Sequence, residues 1–328
     1  MRSLPLLAAL LACAAVAGCG ANAQSPAAHG GPIDLKVRPA AMEIGDRDAD
    51  RIGALTYAGG LVLSSAAEGF GGFSGLDVQP DGRFVSQTDA GGLFRGRILL
   101  DRTGRLAGIG EPSLSRLVDT RGRPYADKFD ADAEDVTFLP DGGFAVSFEQ
   151  QPRVQAYDGE GPARMLGVPA EAAGFRSNGG LEALTAWTDD RGRPRLVEGA
   201  EDGRIWSCDM AGRNCVKIVD GVPEADFSLT SLDAIPDGRG MVAVYRAFDL
   251  IRGMRALVAW VRPGDPQPVV VLARLAPPTN VDNMEGVAAL RNADGSIRIY
   301  LISDDNFSPI QRTLLLAFDW RDDVRRTP

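Results

Sequence analysis

The chain has 328 residues, of which 45% are hydrophobic, 24% charged and 7% aromatic, as in a folded protein with one large domain or two small ones. Its 39 glycines and 21 prolines favour a turn-rich β protein over a helical bundle, and its formal charge of −9 argues against a nucleic-acid partner. The single histidine, His29, precedes every predicted strand. This position argues against a Ser–His–Asp triad and against a histidine-ligated zinc site.

Residues 1–18 have a positive start followed by an apolar run, which is typical of an export signal. The run ends in Val16-Ala17-Gly18-Cys19, which resembles a bacterial lipobox, and a glycine follows the cysteine. We therefore predict a signal peptide over 1–18, a lipid on Cys19 and a flexible tether over 19–32. This resemblance implies the bacterial cell envelope, with the protein anchored to the outer membrane and facing the periplasm. A plain secretory signal cleaved shortly after Cys19 is the alternative.

One pattern recurs from residue 74 onward, roughly every fifty residues. A short apolar strand leads to an Asp-Gly or similar turn and then to a second alternating strand, which indicates a β-hairpin. The hairpins begin at Ser74, Glu134, Glu182, Thr230 and Glu285. Such spacing predicts an all-β fold, a single β-propeller domain over 33–328. The strands predicted before residue 65 could close the ring against Leu314–Trp320, or they could form most of another blade. We favour six blades, with five as the alternative.

Two cysteines remain beyond the N-terminal segment. Cys208 and Cys215 flank a turn-like stretch of six residues, so two strands joined there would bring them opposite each other. In an oxidising compartment they should form a disulfide, with two free thiols as the alternative.

Each hairpin should bring the start of its first strand beside the end of its second. The inner strands of a propeller surround a central channel, so these side chains should converge on one mouth. Seven carboxylates and one arginine would then surround the mouth, and clustered carboxylate oxygens select a hard cation such as Ca²⁺. The expected pairs are Ser74/Asp89, Glu134/Glu149, Glu182/Glu201, Thr230/Arg246 and Glu285/Asp304.

We assign roles to these residues as hypotheses. Glu149 or Glu201 would be the general base, and Arg246 or Arg312 would neutralise a developing negative charge. The alternative is that the acids cap strands, pair with arginines or lie solvated on loops. The cation would be bound among Asp89, Glu134, Glu182, Glu285, Asp304 and Asp305.

Several segments resemble the phytase-like, or esterase-like, β-propeller family over about residues 50–320. The resemblance implies a propeller, an exported bacterial protein and a hydrolase of phosphate or other esters. Phytases bind a highly anionic substrate with several basic residues, whereas here the basic candidates are Arg153, Arg204, Arg246, Arg255 and Arg312. The segments are Phe73-Ser74-Gly75-Leu76-Asp77, Glu134-Asp135, Asn178-Gly179-Gly180-Leu181-Glu182, Asn283-Met284-Glu285-Gly286 and Ile302-Ser303-Asp304-Asp305-Asn306-Phe307.

The sequence therefore predicts a Ca²⁺-dependent hydrolase of small esters, phosphate esters first. We expect a monomer that contacts the membrane only through its N-terminal lipid. One alternative is an esterase similar to calcium lactonase propellers. The other is a non-catalytic, lipid-anchored binding or scaffold propeller, whose acids hold a structural ion or a cationic ligand.

Overall fold

A computed structural model describes residues 30–46, 49–159, 161–175 and 179–322. The predicted signal peptide and the predicted lipid site at Cys19 lie outside the described residues and stay predictions. His29 lies outside them as well. Within the described ranges, no helix has the length and apolar character needed to cross a bilayer.

Twenty-three β-strands and one α-helix, α1 (Lys128–Ala131), make up the described part of the chain, with a 3₁₀ turn at Ala172–Gly174. The strands are β1 (Gly31–Pro32), β2 (Leu35–Pro39), β3 (Arg51–Ile52), β4 (Leu55–Ser65), β5 (Asp77–Val78), β6 (Arg83–Gln87), β7 (Gly92–Leu100), β8 (Leu106–Arg116), β9 (Ala133–Phe138), β10 (Phe144–Phe148), β11 (Arg153–Tyr157), β12 (Arg164–Leu166), β13 (Leu181–Thr188), β14 (Pro194–Ala200), β15 (Ile205–Cys208), β16 (Val216–Val219), β17 (Ser228–Ala234), β18 (Met241–Asp249), β19 (Gly253–Val261), β20 (Val269–Leu275), β21 (Asn283–Arg291), β22 (Ile297–Asp304) and β23 (Thr313–Trp320).

These strands form five antiparallel sheets, which are the blades of a propeller. From the inner strand outward, blade 1 is β5-β6-β7-β8-β1, blade 2 is β9-β10-β11-β12, blade 3 is β13-β14-β15-β16 and blade 4 is β17-β18-β19-β20. Blade 5 is β21-β22-β23-β4-β2, with β3 paired to β4. The propeller prediction is confirmed, and the described residues form five blades, the alternative to the favoured six.

The N-terminal strand β4 closes the ring instead of starting a sixth blade. It pairs antiparallel with the C-terminal strand β23, from Leu63 opposite Thr313 to Leu55 opposite Trp320. Its apolar side chains pack on both sides, because Leu55 belongs to the core between blades 4 and 5 and Leu63 to the core between blades 5 and 1. The N-terminal strands therefore complete blade 5.

The predicted tether reaches too far along the chain. Gly31 and Pro32 pair with Leu114 and Ser113 as the outermost strand of blade 1. Residues 31–32 therefore belong to the domain, because the edge of β8 offers them a hydrogen-bonding partner.

Five large apolar clusters fill the spaces between neighbouring blades. Val85 of blade 1 packs with Val136 of blade 2, for example, and Val242 of blade 4 packs with Val287 of blade 5. Burial on both faces explains why many strands are almost continuously apolar. Burying such side chains is the main term that holds the blades together.

Acidic side chains also connect the inner strands across the blades. Asp77 Oδ2 accepts a hydrogen bond from Phe138 N at 2.7 Å, and Asp233 Oδ2 accepts one from Ala289 N at 2.7 Å. Asp135 Oδ2 accepts from three donors on blades 3 and 4, namely Leu184 N at 2.9 Å, Ser231 Oγ at 3.0 Å and Leu232 N at 3.3 Å. These bonds hold the inner strands in register, so that their first residues meet at one end of the channel.

The predicted disulfide is confirmed. Cys208 at the end of β15 and Cys215 just before β16 are bonded, with their Cα atoms 4.0 Å apart. Asp209 closes the turn between them by accepting from Ala211 N at 2.9 Å and Arg213 N at 3.0 Å.

Candidate active site, an acidic cavity at the channel mouth

Four of the inner strands, β9, β13, β17 and β21, have a β-bulge within their first few residues. In blade 3, Leu181 opposes Ala200 and Ala183 opposes Gly199, so Glu182 is the extra residue. Thr230 and Glu285 are the extra residues of blades 4 and 5. A bulge re-aims side chains at the end of a sheet, and here it falls where the strands meet at the mouth.

The predicted pairs are not directly opposed, and that part of the prediction is wrong. Glu149 N donates to Asp132 O rather than facing Glu134, and Asp304 opposes Asn283 rather than Glu285. The register is displaced by two residues. One comes from the turn, where Leu139 N bonds to Gly143 O, and the other from the bulge.

Nine of the ten residues in the predicted pairs nevertheless line one cavity of about 410 Å³. The exception is Thr230, which is buried and donates to Val244 O and Met284 O instead. The lining residues include eight carboxylates and two cations. They are Ser74, Asp89, Lys128, Asp132, Glu134, Glu149, Gln150, Glu182, Glu201, Arg246, Glu285, Asp304 and Asn306.

Both cations of the cavity are engaged at its edge. Lys128 Nζ is paired with Asp89, and Arg246 Nε lies 3.0 Å from Glu285 Oε1. The other six carboxylates of the lining form no ion pair with a described residue. The cavity therefore carries a large excess of negative charge when its acids are ionised.

This concentration of charge changes the acidity of the lining groups. Burial raises the pKa of Glu134 well above its ordinary value, and the neighbouring charges, Glu182 first, raise it further. Burial raises the pKa of Glu182 in the same way, with Glu149 as the strongest neighbouring charge. Burial also raises the pKa of Glu285 to about 7, although Arg246 opposes the shift, and that of Asp304 to about 6. A cation bound among these carboxyls would oppose the shifts, because it favours their ionised form.

Three carboxylates form the tightest group. Asp132, Glu134 and Glu149 each place one oxygen within 4.8 Å of the others. Gln150 Nε2 donates to Asp132 Oδ2 at 2.9 Å and to Glu149 Oε2 at 3.1 Å, and Gly179 N donates to Glu149 Oε1 at 3.1 Å. These donors hold the two carboxylates in place. An all-oxygen donor set of this kind suits a hard cation, and Ca²⁺ accepts its irregular geometry more readily than Mg²⁺.

Two predicted site residues lie outside the cavity lining. Asp305 Oδ1 accepts from Gly72 N and Phe307 N, each at 3.0 Å, and its Oδ2 accepts from Thr313 Oγ1 at 2.9 Å. Arg312 Nη1 donates to Asn280 Oδ1 at 2.7 Å. The hydrogen bonds of Asp305 and Arg312 fix the connection between β22 and β23, and neither side chain lines the cavity.

The other basic candidates also lie elsewhere. Arg153 stacks on Phe148, with its guanidinium carbon 3.9 Å from the ring centroid. Arg204 pairs with Asp202 at 2.8 Å, and Arg255 pairs with Asp249 at 3.1 Å. Of the five arginines that the sequence suggested, Arg246 alone lines the cavity.

Sequence reasoning missed Lys128, Asp132 and Gln150. Asp127 caps the one-turn helix α1 by accepting from Asp130 N at 3.0 Å, and this turn brings Lys128 to Asp89. The available signal was the charge-rich segment over 127–132, which ends two residues before Glu134.

Several solved structures resemble this chain at low sequence identity. A thermostable family-43 glycoside hydrolase is 11% identical, with 79% of this chain and 93% of that chain covered and a TM-score of 0.48. Virginiamycin B lyase from Staphylococcus aureus is 8% identical (88% and 100% covered, TM-score 0.43). The PQQ-bound aldose sugar dehydrogenase from Streptomyces coelicolor is 14% identical (90% and 100% covered, TM-score 0.39). Likeness at this level establishes neither fold nor activity, and the five blades follow from the strand pairing alone.

Comparison with curated proteins finds no match. A family model described as "Phytase-like: Esterase-like activity of phytase" matches residues 68–307. The matched range runs from the approach to blade 1 through the acidic cavity to the loop after β22.

Proposed function

The chain belongs to the phytase-like family, and we propose that it hydrolyses small esters, phosphate esters first, in the acidic cavity with a bound divalent cation, Ca²⁺ first. The observation that carries this proposal is the lining of the cavity. Eight carboxylates surround about 410 Å³, and both lining cations are already paired. So much uncompensated negative charge is costly to a protein unless a ligand of positive charge offsets it.

The donor chemistry fits a hard cation. Asp132, Glu134 and Glu149 would hold it, because their oxygens approach one another within 4.8 Å, and Glu182 is the strongest neighbouring charge on Glu134. We therefore count Glu149, which the sequence suggested as a general base, among the candidate ligands. When bound, a divalent cation supplies Lewis-acid polarisation of the ester and increases the acidity of water.

The remaining side chains supply the other requirements of ester hydrolysis. Glu201 lines the cavity outside the tightest carboxylate group, and we assign it the role of accepting a proton from the attacking water at a carboxylate oxygen. Arg246, 3.0 Å from Glu285, would stabilise negative charge that develops on the substrate. Lys128 on the exposed rim would orient an anionic group as it enters.

The first test is calcium binding, measured by calorimetry on protein that lacks residues 1–19. We expect micromolar binding, and we expect it to be lost in a Glu134→Gln/Glu285→Gln double variant. The matched control is Asp81→Asn/Asp294→Asn, which removes two carboxylates from turns at the far end of the hairpins and should bind as the unmodified protein does.

Turnover is measured in parallel on 4-nitrophenyl phosphate, 4-nitrophenyl acetate and a δ-lactone, with Ca²⁺ or with a chelator. We expect hydrolysis that depends on Ca²⁺, fastest with the phosphate; preference for the lactone would favour the lactonase-like alternative. Calcium binding without turnover on any substrate would contradict the hydrolase. An absence of binding in a folded protein would contradict the cation site and favour a propeller that binds a cationic organic ligand.

A further inference from the structure

A second cavity, of about 340 Å³, lies beside the acidic one at blade 1. Five of its nine lining residues have no polar side-chain atom, and its two charged residues, Glu68 and Arg116, have opposite signs. The acidic cavity next to it has eight carboxylates in its lining. Two adjacent spaces of such different polarity suit two chemically different parts of one ligand. The five residues without polar side chains are Gly69, Ala90, Gly92, Leu114 and Phe307.

The two cavities share a wall made of consecutive residues. Asp89 lines the acidic cavity and Thr88 lines the second one; likewise Asn306 lines the first and Phe307 the second. A Cβ atom placed on Gly72 would lie 2.5 Å from Phe307 Cε2 and 2.8 Å from Asp89 Oδ1. Because Gly72 has no side chain, the aromatic ring and the carboxylate can both approach its backbone closely, and a ligand that lies across this wall would contact both cavities.

The phenyl ring of Phe307 is held at the wall by an unusual loop. Asn306 and Phe307 have φ angles of +49° and +50°, in the left-handed region that residues other than glycine rarely adopt. Asp304 Oδ1 accepts from Asn306 N at 2.6 Å, and Asp305 Oδ1 accepts from Phe307 N at 3.0 Å. Backbone strain of this kind persists where surrounding contacts enforce it, often at ligand sites. The result is an aromatic side chain that is 49% exposed beside the acidic mouth.

Three of the four polar side chains that line the second cavity are engaged within the fold, the exception being the exposed Glu68. Thr88 Oγ1 accepts from Gly92 N at 2.8 Å, and Ser115 Oγ accepts from Arg95 Nη1 at 3.2 Å. Arg116 Nη2 donates to Tyr125 O at 3.1 Å. Apart from the exposed Glu68, the surface offered to a ligand is therefore mainly that of Phe307, Leu114, Ala90 and the glycines.

We infer that this second cavity is an apolar subsite, which binds the acyl or aryl group of an ester whose phosphate or carbonyl lies in the acidic cavity. Phe307 is then the specificity-determining residue, because its ring forms the part of the wall over which the substrate lies. The inference rests on the proposed function. It narrows the substrate class to esters with a compact carbon-rich group, and it disfavours small polyanions that have no such group.

Specificity is tested with a matched pair of substrates, methyl phosphate and 1-naphthyl phosphate, in the presence of Ca²⁺. We expect Phe307→Ala, and Ala90→Trp, which fills the subsite, to lower kcat/KM for the naphthyl ester about tenfold. Both variants should leave kcat/KM for the methyl ester within about twofold. The control is Phe129→Ala, which removes a ring of similar exposure, 55%, that does not line the subsite and should leave both values unchanged.

A binding measurement separates failure of the subsite from failure of the proposed function. Fluorescence titration with 2-naphthol, which has no ester bond, should show saturable binding that Phe307→Ala and Ala90→Trp weaken about tenfold and Phe129→Ala leaves unchanged. Binding of this pattern without hydrolysis of any ester would support the subsite and contradict the hydrolase. Hydrolysis with equal losses on both substrates, or 2-naphthol binding that is absent or insensitive to both variants, would overturn the subsite.

Discussion

Carboxylates at the two ends of the same hairpins have opposite acid–base behaviour. At the turn of blade 1, Asp81 Oδ1 accepts from Arg83 N at 3.0 Å, and this hydrogen bond is the largest cause that lowers the pKa of Asp81. At the mouth, burial raises the pKa of Glu134 and Glu182, and neighbouring acids add to the effect. The hydrogen-bond donors around a carboxylate and its exposure to solvent, rather than its residue type, therefore decide whether its pKa is lowered or raised.

The same difference between the two ends of the hairpins makes the mouth, rather than the turns, the candidate site. In the turn before β22, Asp294 Oδ1 accepts from Ser296 N at 3.0 Å, so a backbone N–H of the turn already stabilises the charge of this carboxylate. Glu134 and Glu182 form no ion pair with a described residue, and their charge is available to a ligand. Carboxylates that line a cavity and have strongly raised pKa values are candidates for a functional site.

The largest effect is expected at a third group of acids, buried in the channel between the two ends. Asp135→Leu leaves Val136 N, Leu184 N, Leu232 N and Ser231 Oγ without their acceptor. At about 1–3 kcal/mol for each unsatisfied donor, we expect the free energy of unfolding to fall by about 4 kcal/mol or more. Urea denaturation followed by circular dichroism measures the change. Asp135→Asn keeps an acceptor oxygen and should lose less; equal stability of the two variants would show that these hydrogen bonds do not hold the blades.

An intermediate effect is expected from pH at the mouth. Because the pKa of Glu285 rises from 4.5 to about 7 on folding, the folded protein binds more protons than the unfolded one between these values. In chelator, the free energy of unfolding should therefore fall as the pH rises from about 4.5 to about 7, by about 3 kcal/mol for this group. Saturating Ca²⁺ should suppress the fall, and Glu285→Gln should reduce it. Stability that rises with pH over this range in chelator would contradict the raised pKa.

The smallest effect is expected at the turns. Asp81 has a lowered pKa, so its contribution to stability is present above the ordinary Asp value and is lost as the pH falls through the lowered one. Asp81→Asn should lower Tm slightly at pH 7, in chelator and in Ca²⁺ alike, and the difference from the unmodified protein should vanish in acid. A Tm difference that depends on Ca²⁺ would mean that the two ends of the hairpin are coupled.

The sequence could identify most of the candidate site because it repeats. Glu134, Glu182 and Glu285 each begin a hairpin, and equivalent positions in a propeller face one channel. Lys128 and Asp132 could not be found in this way, because they belong to an irregular connection that has no counterpart in the repeat. The register of the pairs was wrong by two residues, since neither the centre of a turn nor a bulge can be read from alternation alone.

Local chemistry determined the hairpins, their approximate spacing, the disulfide and the end of each hairpin at which the acids lie. Turn residues, strand alternation and short sequence separations carry that information within about twenty residues. The tertiary structure alone decided that β4 joins β23 to give five blades, that Asp305 lies outside the cavity and that Phe307 separates the cavity from an apolar neighbour. These features depend on how five sheets pack around one axis, and such long-range packing leaves no periodic trace in the chain.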